Sequence, residues 1–91
     1  MAARLKGSVM KRLEALEKAT RGFKAALDPT ARAEAERTAH MLAGSLGTLG
    51  FPEGTRLARE IEQLCEGSKD LSRRDLARGS ALIAALHDVL A

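Results

Sequence analysis

His40 is the residue in this 91-residue chain whose surroundings point most directly to chemistry. It lies in the stretch RTAHMLAGSLGTLG, residues 37–50, beside Gly44 and Gly47. A neutral imidazole nitrogen is a nucleophile or a proton acceptor at cellular pH, because the unperturbed side chain titrates near about 6.5. The other candidates carry less. His87 stands near the end of a helical pattern with no motif around it, and reads as a helix-end or half-buried histidine. Cys65 is the only cysteine, so no intrachain disulfide forms. It reads as a small core residue rather than a reactive thiol. The two histidines and Cys65 lack the spacing of a metal set, and no metal site is expected.

A glycine inside a helix costs roughly 1 kcal/mol relative to alanine, so the bare positions around His40 need a reason. On a helical wheel, Ala31, Ala35, Ala39, Leu42, Leu46 and Leu49 share one side. His40 falls about 160° from Leu42, among Glu36, Arg37, Gly44 and Gly47, with Ala43 at about 100°. Helical side chains lean toward the N-terminus, so the residues that crowd His40 are Ala43 and Gly44. Neither shields the imidazole, and a partner's backbone or a large anion can approach it. The competing reading makes GSLGTLG a loop, ends the helix near Ala43 and leaves His40 as an ordinary surface residue. The helical spacing of Leu42, Leu46 and Leu49 counts against that.

The elements that must position this face are helices. Ala, Leu, Glu, Arg and Lys dominate the composition, while Val9, Ile61, Ile83 and Val89 are the whole β-branched aliphatic set. Phe23 and Phe51 are the only aromatics, so the core is aliphatic. The spacing of Leu5, Val9, Leu13, Leu16, Thr20, Phe23 and Leu27 predicts a helix over 4–27. Asp28 and Pro29 cap and open a second helix over 29–49. Pro52 opens a third over 52–66, with Leu57, Ala58, Ile61, Leu64 and Cys65 as its stripe. Ser72 and Asp75 form a capping-box pattern for a fourth over 72–90, where Leu76, Ser80, Ile83, His87 and Leu90 share a face. Short connections imply one all-α domain spanning 1–91, an antiparallel up-down-up-down four-helix bundle.

Charge limits the partners. The net charge is +3: residues 1–28, with seven basic and three acidic residues, carry +4, and the rest of the chain carries −1. With no dense basic run and no interleaved aromatics, nucleic-acid binding is not expected. No apolar run approaches the roughly 20 residues that span a bilayer. The N-terminal residues lack a signal-peptide core, so the expectation is a cytoplasmic protein off the membrane.

Residues 39–50 resemble the histidine phosphotransfer (HPt) domain family, including the related domain at the N-terminus of chemotaxis histidine kinases. The family pattern is His, any residue, an aliphatic, Lys, Gly, then Ser or Ala, and a small or mixed run ending in an aliphatic and Gly. Here it reads His40-Met41-Leu42-Ala43-Gly44-Ser45-Leu46-Gly47-Thr48-Leu49-Gly50. An aliphatic and then Glu or Gln follow the last glycine by eleven and twelve positions, and Ile61 and Glu62 stand there. The motif covers about residues 35–65, and the helix number covers the whole chain.

The resemblance implies a phosphocarrier rather than an enzyme with its own turnover. His40 matches the phosphorylated position, Gly44 the glycine that leaves room for the phosphoryl group, and Glu62 the group that hydrogen-bonds the imidazole. The implied partners are response-regulator receiver domains, a histidine kinase, or both. No cofactor belongs to the chain itself, and magnesium is expected on the receiver partner. The motif needs only a monomer. A carboxylate accepting the Nδ1 proton would fix the tautomer and leave Nε2 free to attack. Two departures from the family stand out. Ala43 replaces the usual Lys, which raises the alternative of a pseudo-phosphotransfer or helical-bundle interaction module that binds a receiver or kinase without efficient transfer. Arg37, one turn before His40, is the candidate to supply the missing charge. Gly54 stands where the family has an aliphatic, which predicts loose packing at the start of the third helix.

Overall fold

The computed structural model describes residues 2–66 and 70–90, with side chains from residue 7 onward. The chain forms four α-helices and one short 3-10 turn: α1 (Ala2–Thr20), the turn Arg21–Phe23, α2 (Pro29–Leu49), α3 (Pro52–Cys65) and α4 (Arg73–Leu90). No strand occurs among the described residues. The side chain of Leu5 and residues 67–69 of the last connection lie outside them.

The first helix is shorter than its periodicity predicts. Val9, Leu13, Leu16 and Thr20 are buried as the stripe requires, and the Thr20 hydroxyl donates to the Leu16 carbonyl at 2.9 Å. The chain then leaves the helix through three consecutive positive φ values, 51° at Arg21, 66° at Gly22 and 59° at Phe23. Only Gly22 adopts that region freely. The strain at its neighbours is offset by the Phe23 ring, which is 2 % exposed and lies against Gly79 of α4. A Cβ on Gly79 would fall 2.5 Å from Phe23 Cγ. Phe23 and Leu27 continue the apolar spacing by sequence, but Leu27 lies in the connection before α2.

The two helices that carry the motif are punctuated by their sequence. Asp28 Oδ1 accepts from the Ala31 amide at 2.7 Å, and Pro29 occupies the first turn, where its missing N–H costs nothing. The second helix runs unbroken through Gly44 and Gly47, which removes the loop reading of GSLGTLG. It ends at Gly50, whose φ of 78° lets the Phe51 amide reach back to the Leu46 carbonyl at 2.9 Å. Pro52 starts α3 two residues later. That tight reversal makes α2 and α3 the most extensively packed pair of helices.

Gly54 is buried there, and the packing around it is close rather than loose. A Cβ at that position would meet Leu46 Cδ1 at 3.1 Å and Val89 Cγ1 at 3.6 Å. The small residue draws α3 against α2 and α4, where an aliphatic side chain would hold them apart. Ser72 and Asp75 make the reciprocal capping box: the Asp75 amide donates to Ser72 Oγ at 3.1 Å, and the Ser72 amide to Asp75 Oδ2 at 3.0 Å.

Charged side chains link turns of one helix and also join helices to one another. Arg56 spans Glu53 and Glu60 on α3, at 2.5 and 2.7 Å, and Arg78 of α4 reaches Glu60 at 2.5 Å. His87 Nε2 lies 2.9 Å from Glu17 Oε1, joining α4 to α1. Cys65 is 2 % exposed, and burial pushes its thiol up to about 11, with the Glu36 carboxylate adding to the effect. A thiol so held stays protonated at neutral pH and packs as an apolar group.

Because a methyl on Gly79 overlaps the Phe23 ring, Gly79→Ala is expected to destabilise the fold by about 2 kcal/mol and lower Tm by roughly 10 °C. Thermal unfolding followed by circular dichroism measures this, with full recovery expected in Phe23→Ala/Gly79→Ala relative to Phe23→Ala alone.

Candidate functional site

The site is built from two neighbouring helices, α2 supplying His40 and α3 supplying Glu62. His40 Nδ1 lies 2.8 Å from Glu62 Oε2. An ionised carboxylate can only accept, so in the neutral ring this contact puts the proton on Nδ1 and leaves the lone pair on Nε2. The His40 side chain is 74 % exposed, while that of Glu62 is only 22 % exposed. The acceptor is thus held by its surroundings, and the ring stands out into solvent from that anchor.

A cleft of about 290 Å³ opens beside the ring, lined by His40, Ala43, Gly44, Arg59 and Glu62. Its floor and its charge differ from the helical-wheel picture. Ala43 is 4 % exposed, so it faces the packed interior at the foot of the cleft rather than a bare outer surface. Arg37 is exposed, but its guanidinium lies 3.4 Å from Glu34 Oε2, one turn toward the N-terminus, and it does not line the cleft. Arg59 does line it. Sequence reasoning missed this residue, although it stands three positions before Glu62 and therefore on the same face of α3.

The glycines around His40 are not demanded by packing. A Cβ on Gly44 would meet nothing within 4 Å, and one on Gly47 would only touch Thr55 Oγ1 at 3.9 Å. Both keep helical backbone angles, so neither is needed for a turn. The fold bears their helix-propensity cost without a return in internal contacts. What they leave is a flat strip beside the imidazole. Met41, next to His40, is 47 % exposed and is the exposed large hydrophobic residue among those described. A shallow depression lined by Gly47, Gly50, Phe51, Pro52, Thr55, Arg56 and Arg59 adjoins the cleft through Arg59. The imidazole, the bare strip and this depression form one continuous surface along α2 and α3.

Among the described residues, no group of three or more His, Cys, Asp or Glu side chains is arranged to hold a metal ion. No helix among them is long and apolar enough to cross a membrane.

Two outcomes are expected from this geometry. Glu62→Ala removes the acceptor, so the ¹⁵N shifts of the His40 ring should move from a dominant Nδ1–H form toward the mixture of an unrestrained imidazole. An unchanged tautomer ratio would deny Glu62 that role. Gly44→Ala should raise stability by about 0.5–1 kcal/mol, read as a higher urea midpoint, because it adds helix propensity in open space.

The family model described as Hpt domain matches residues 1–91, the whole chain. No curated protein and no solved structure matches the chain significantly.

Proposed function

The chain belongs to the Hpt domain family, and from that premise we propose that it is a phosphocarrier that takes a phosphoryl group on His40 and passes it on. Membership carries a phosphotransfer role in two-component signalling, with receiver domains and kinases as the partners. The observation that supports His40 as the carrier is its 2.8 Å contact with Glu62, combined with the exposure of the ring. In the transfer, the Nε2 lone pair forms the N–P bond. The P–O bond to the receiver's aspartate breaks, and its electron pair leaves with the carboxylate. The ring keeps its Nδ1 proton and becomes cationic, and the Glu62 carboxylate beside it compensates that charge. Phosphoryl transfer depends mostly on alignment and on neutralising charge, so an open face suits it better than an enclosed pocket.

The rest of the reading follows from the same surface. The bare strip at Gly44 and Gly47 lets a partner's backbone come close to the ring, and Met41 and the depression beyond Gly47 supply apolar area for it to rest on. Arg37 stands at the edge of that face. Magnesium belongs to the receiver, and no cofactor is assigned to this chain. Four helices with short connections favour an antiparallel up-down bundle. A cytoplasmic monomer suffices for the relay.

The second reading is a pseudo-phosphotransfer module that binds a receiver or kinase but transfers poorly. Ala43 favours it, because the position beside the phosphoryl site carries no charge of its own.

Incubation with a phosphorylated receiver or a cognate kinase separates the two. The relay reading expects acid-labile, alkali-stable label on the wild-type chain and none on His40→Gln. Receiver binding without label would establish the second reading, and label retained in His40→Gln would remove His40 from the role.

A further inference from the structure

A phosphoryl group on His40 would bring about two negative charges into a cleft that already holds the Glu62 carboxylate. The usual lysine is replaced by Ala43, which is buried at the foot of that cleft. The compensating cation must come from elsewhere, and the ion pairs narrow the choice. Arg37 is directed to Glu34. Arg56 is held between Glu53 and Glu60, and Arg78 is bound to Glu60. These contacts also occupy the carboxylates of α3, since Glu62 is engaged with His40. Arg59 is exposed, lines the cleft, and has no hydrogen-bond or ion-pair partner among the described residues.

We propose that Arg59 is the cation that binds the phosphoryl oxygens on His40, reaching across the cleft from α3 to replace the lysine absent from α2. This rests on the relay reading of the same site. The physical case is one of placement. A guanidinium brings a permanent positive charge and N–H donors to phosphoryl oxygens, and an ammonium at the same position would supply the same charge. Placed three residues before Glu62, it shares a face with the carboxylate that orients the ring. One helix then supplies both the group that holds the imidazole and the group that holds what the imidazole carries. Ala43 contributes by being small: it leaves the floor of the cleft open to the longer side chain from α3.

The test uses phosphoramidate as a small phosphoryl donor, so that no partner protein enters. The N–P bond to Nε2 forms as the donor's P–N bond breaks, and ammonia leaves with the electron pair. Labelling rate and phosphohistidine lifetime are read by ³¹P NMR for wild type, Arg59→Gln, Arg59→Lys and the exposed control Arg74→Gln on α4, with Tm checked for each. Arg59→Gln should label about fivefold more slowly, as expected for a solvent-exposed charge contact. Arg59→Lys should recover most of the rate, and Arg74→Gln should match wild type. Equal rates in wild type and Arg59→Gln would overturn the assignment while leaving the relay intact. An Arg59→Lys variant as slow as Arg59→Gln would overturn it too, since charge would not be the operative property. So would an equal loss in Arg74→Gln, which would mark a general charge effect. Wild-type protein that never labels would instead overturn the relay reading, and this inference with it.

Discussion

In the proposed relay, an imidazole that carries a group on one nitrogen needs its other nitrogen fixed, and that requirement falls on a single contact between two helices. The 2.8 Å approach of His40 Nδ1 to Glu62 Oε2 exists only if α2 and α3 keep their axial register. A slip of one residue along either helix moves a side chain by about 1.5 Å and rotates it by about 100°, which would break the contact. The structure around the pair reads as a set of devices that prevent such a slip. Gly50 reverses the chain within one residue, Pro52 restarts it, and Gly54 lets α3 settle against Leu46. Below the pair, the apolar faces of Ala39, Leu42, Ala43, Ala58, Ile61 and Cys65 are all buried.

The site thereby separates two demands that usually conflict. Rigidity is supplied from inside, by the packed faces of α2 and α3. Access is supplied from outside, by positions that lack side chains. Gly44 and Gly47 add nothing to the interior and do not shape the backbone, so their cost is borne by a helix that is stabilised elsewhere. A helix with the same core stripe and alanines at those positions would fold at least as well and would present a rougher surface beside the ring.

Much of this was legible in the residues themselves. The stripe of α2, its cap at Asp28, its continuation through the glycines and the open aspect of His40 follow from spacing alone. Three features did not follow, each for a physical reason. The end of α1 was hidden because Phe23 and Leu27 keep the helical period, and only the tertiary contact between Phe23 and Gly79 shows why the chain leaves the helix. The packing at Gly54 was misread because a missing side chain signals a void or a close approach equally well, and the neighbouring helix decides which. Arg59 carries no motif of its own, and only the packing of α3 against α2 brings it to the cleft beside His40. A wheel drawn for one helix places Ala43 by its angle but does not show that a second helix covers it.

The seam between α1 and α4 has a different character from that between α2 and α3. Among the described residues, these two helices share the fewest contacts of the packed pairs. They are joined by the half-exposed His87–Glu17 pair, and the turn after α1 adds the Phe23 ring seated on Gly79. Free energy for local opening follows buried contact, so the bundle should breathe along this seam first. Amide exchange would then run fastest in the outer helices and slowest in the pair that holds the histidine. On that expectation the least mobile part of the molecule is the helix pair that carries His40 and Glu62, and the looseness falls on the seam between the outer helices.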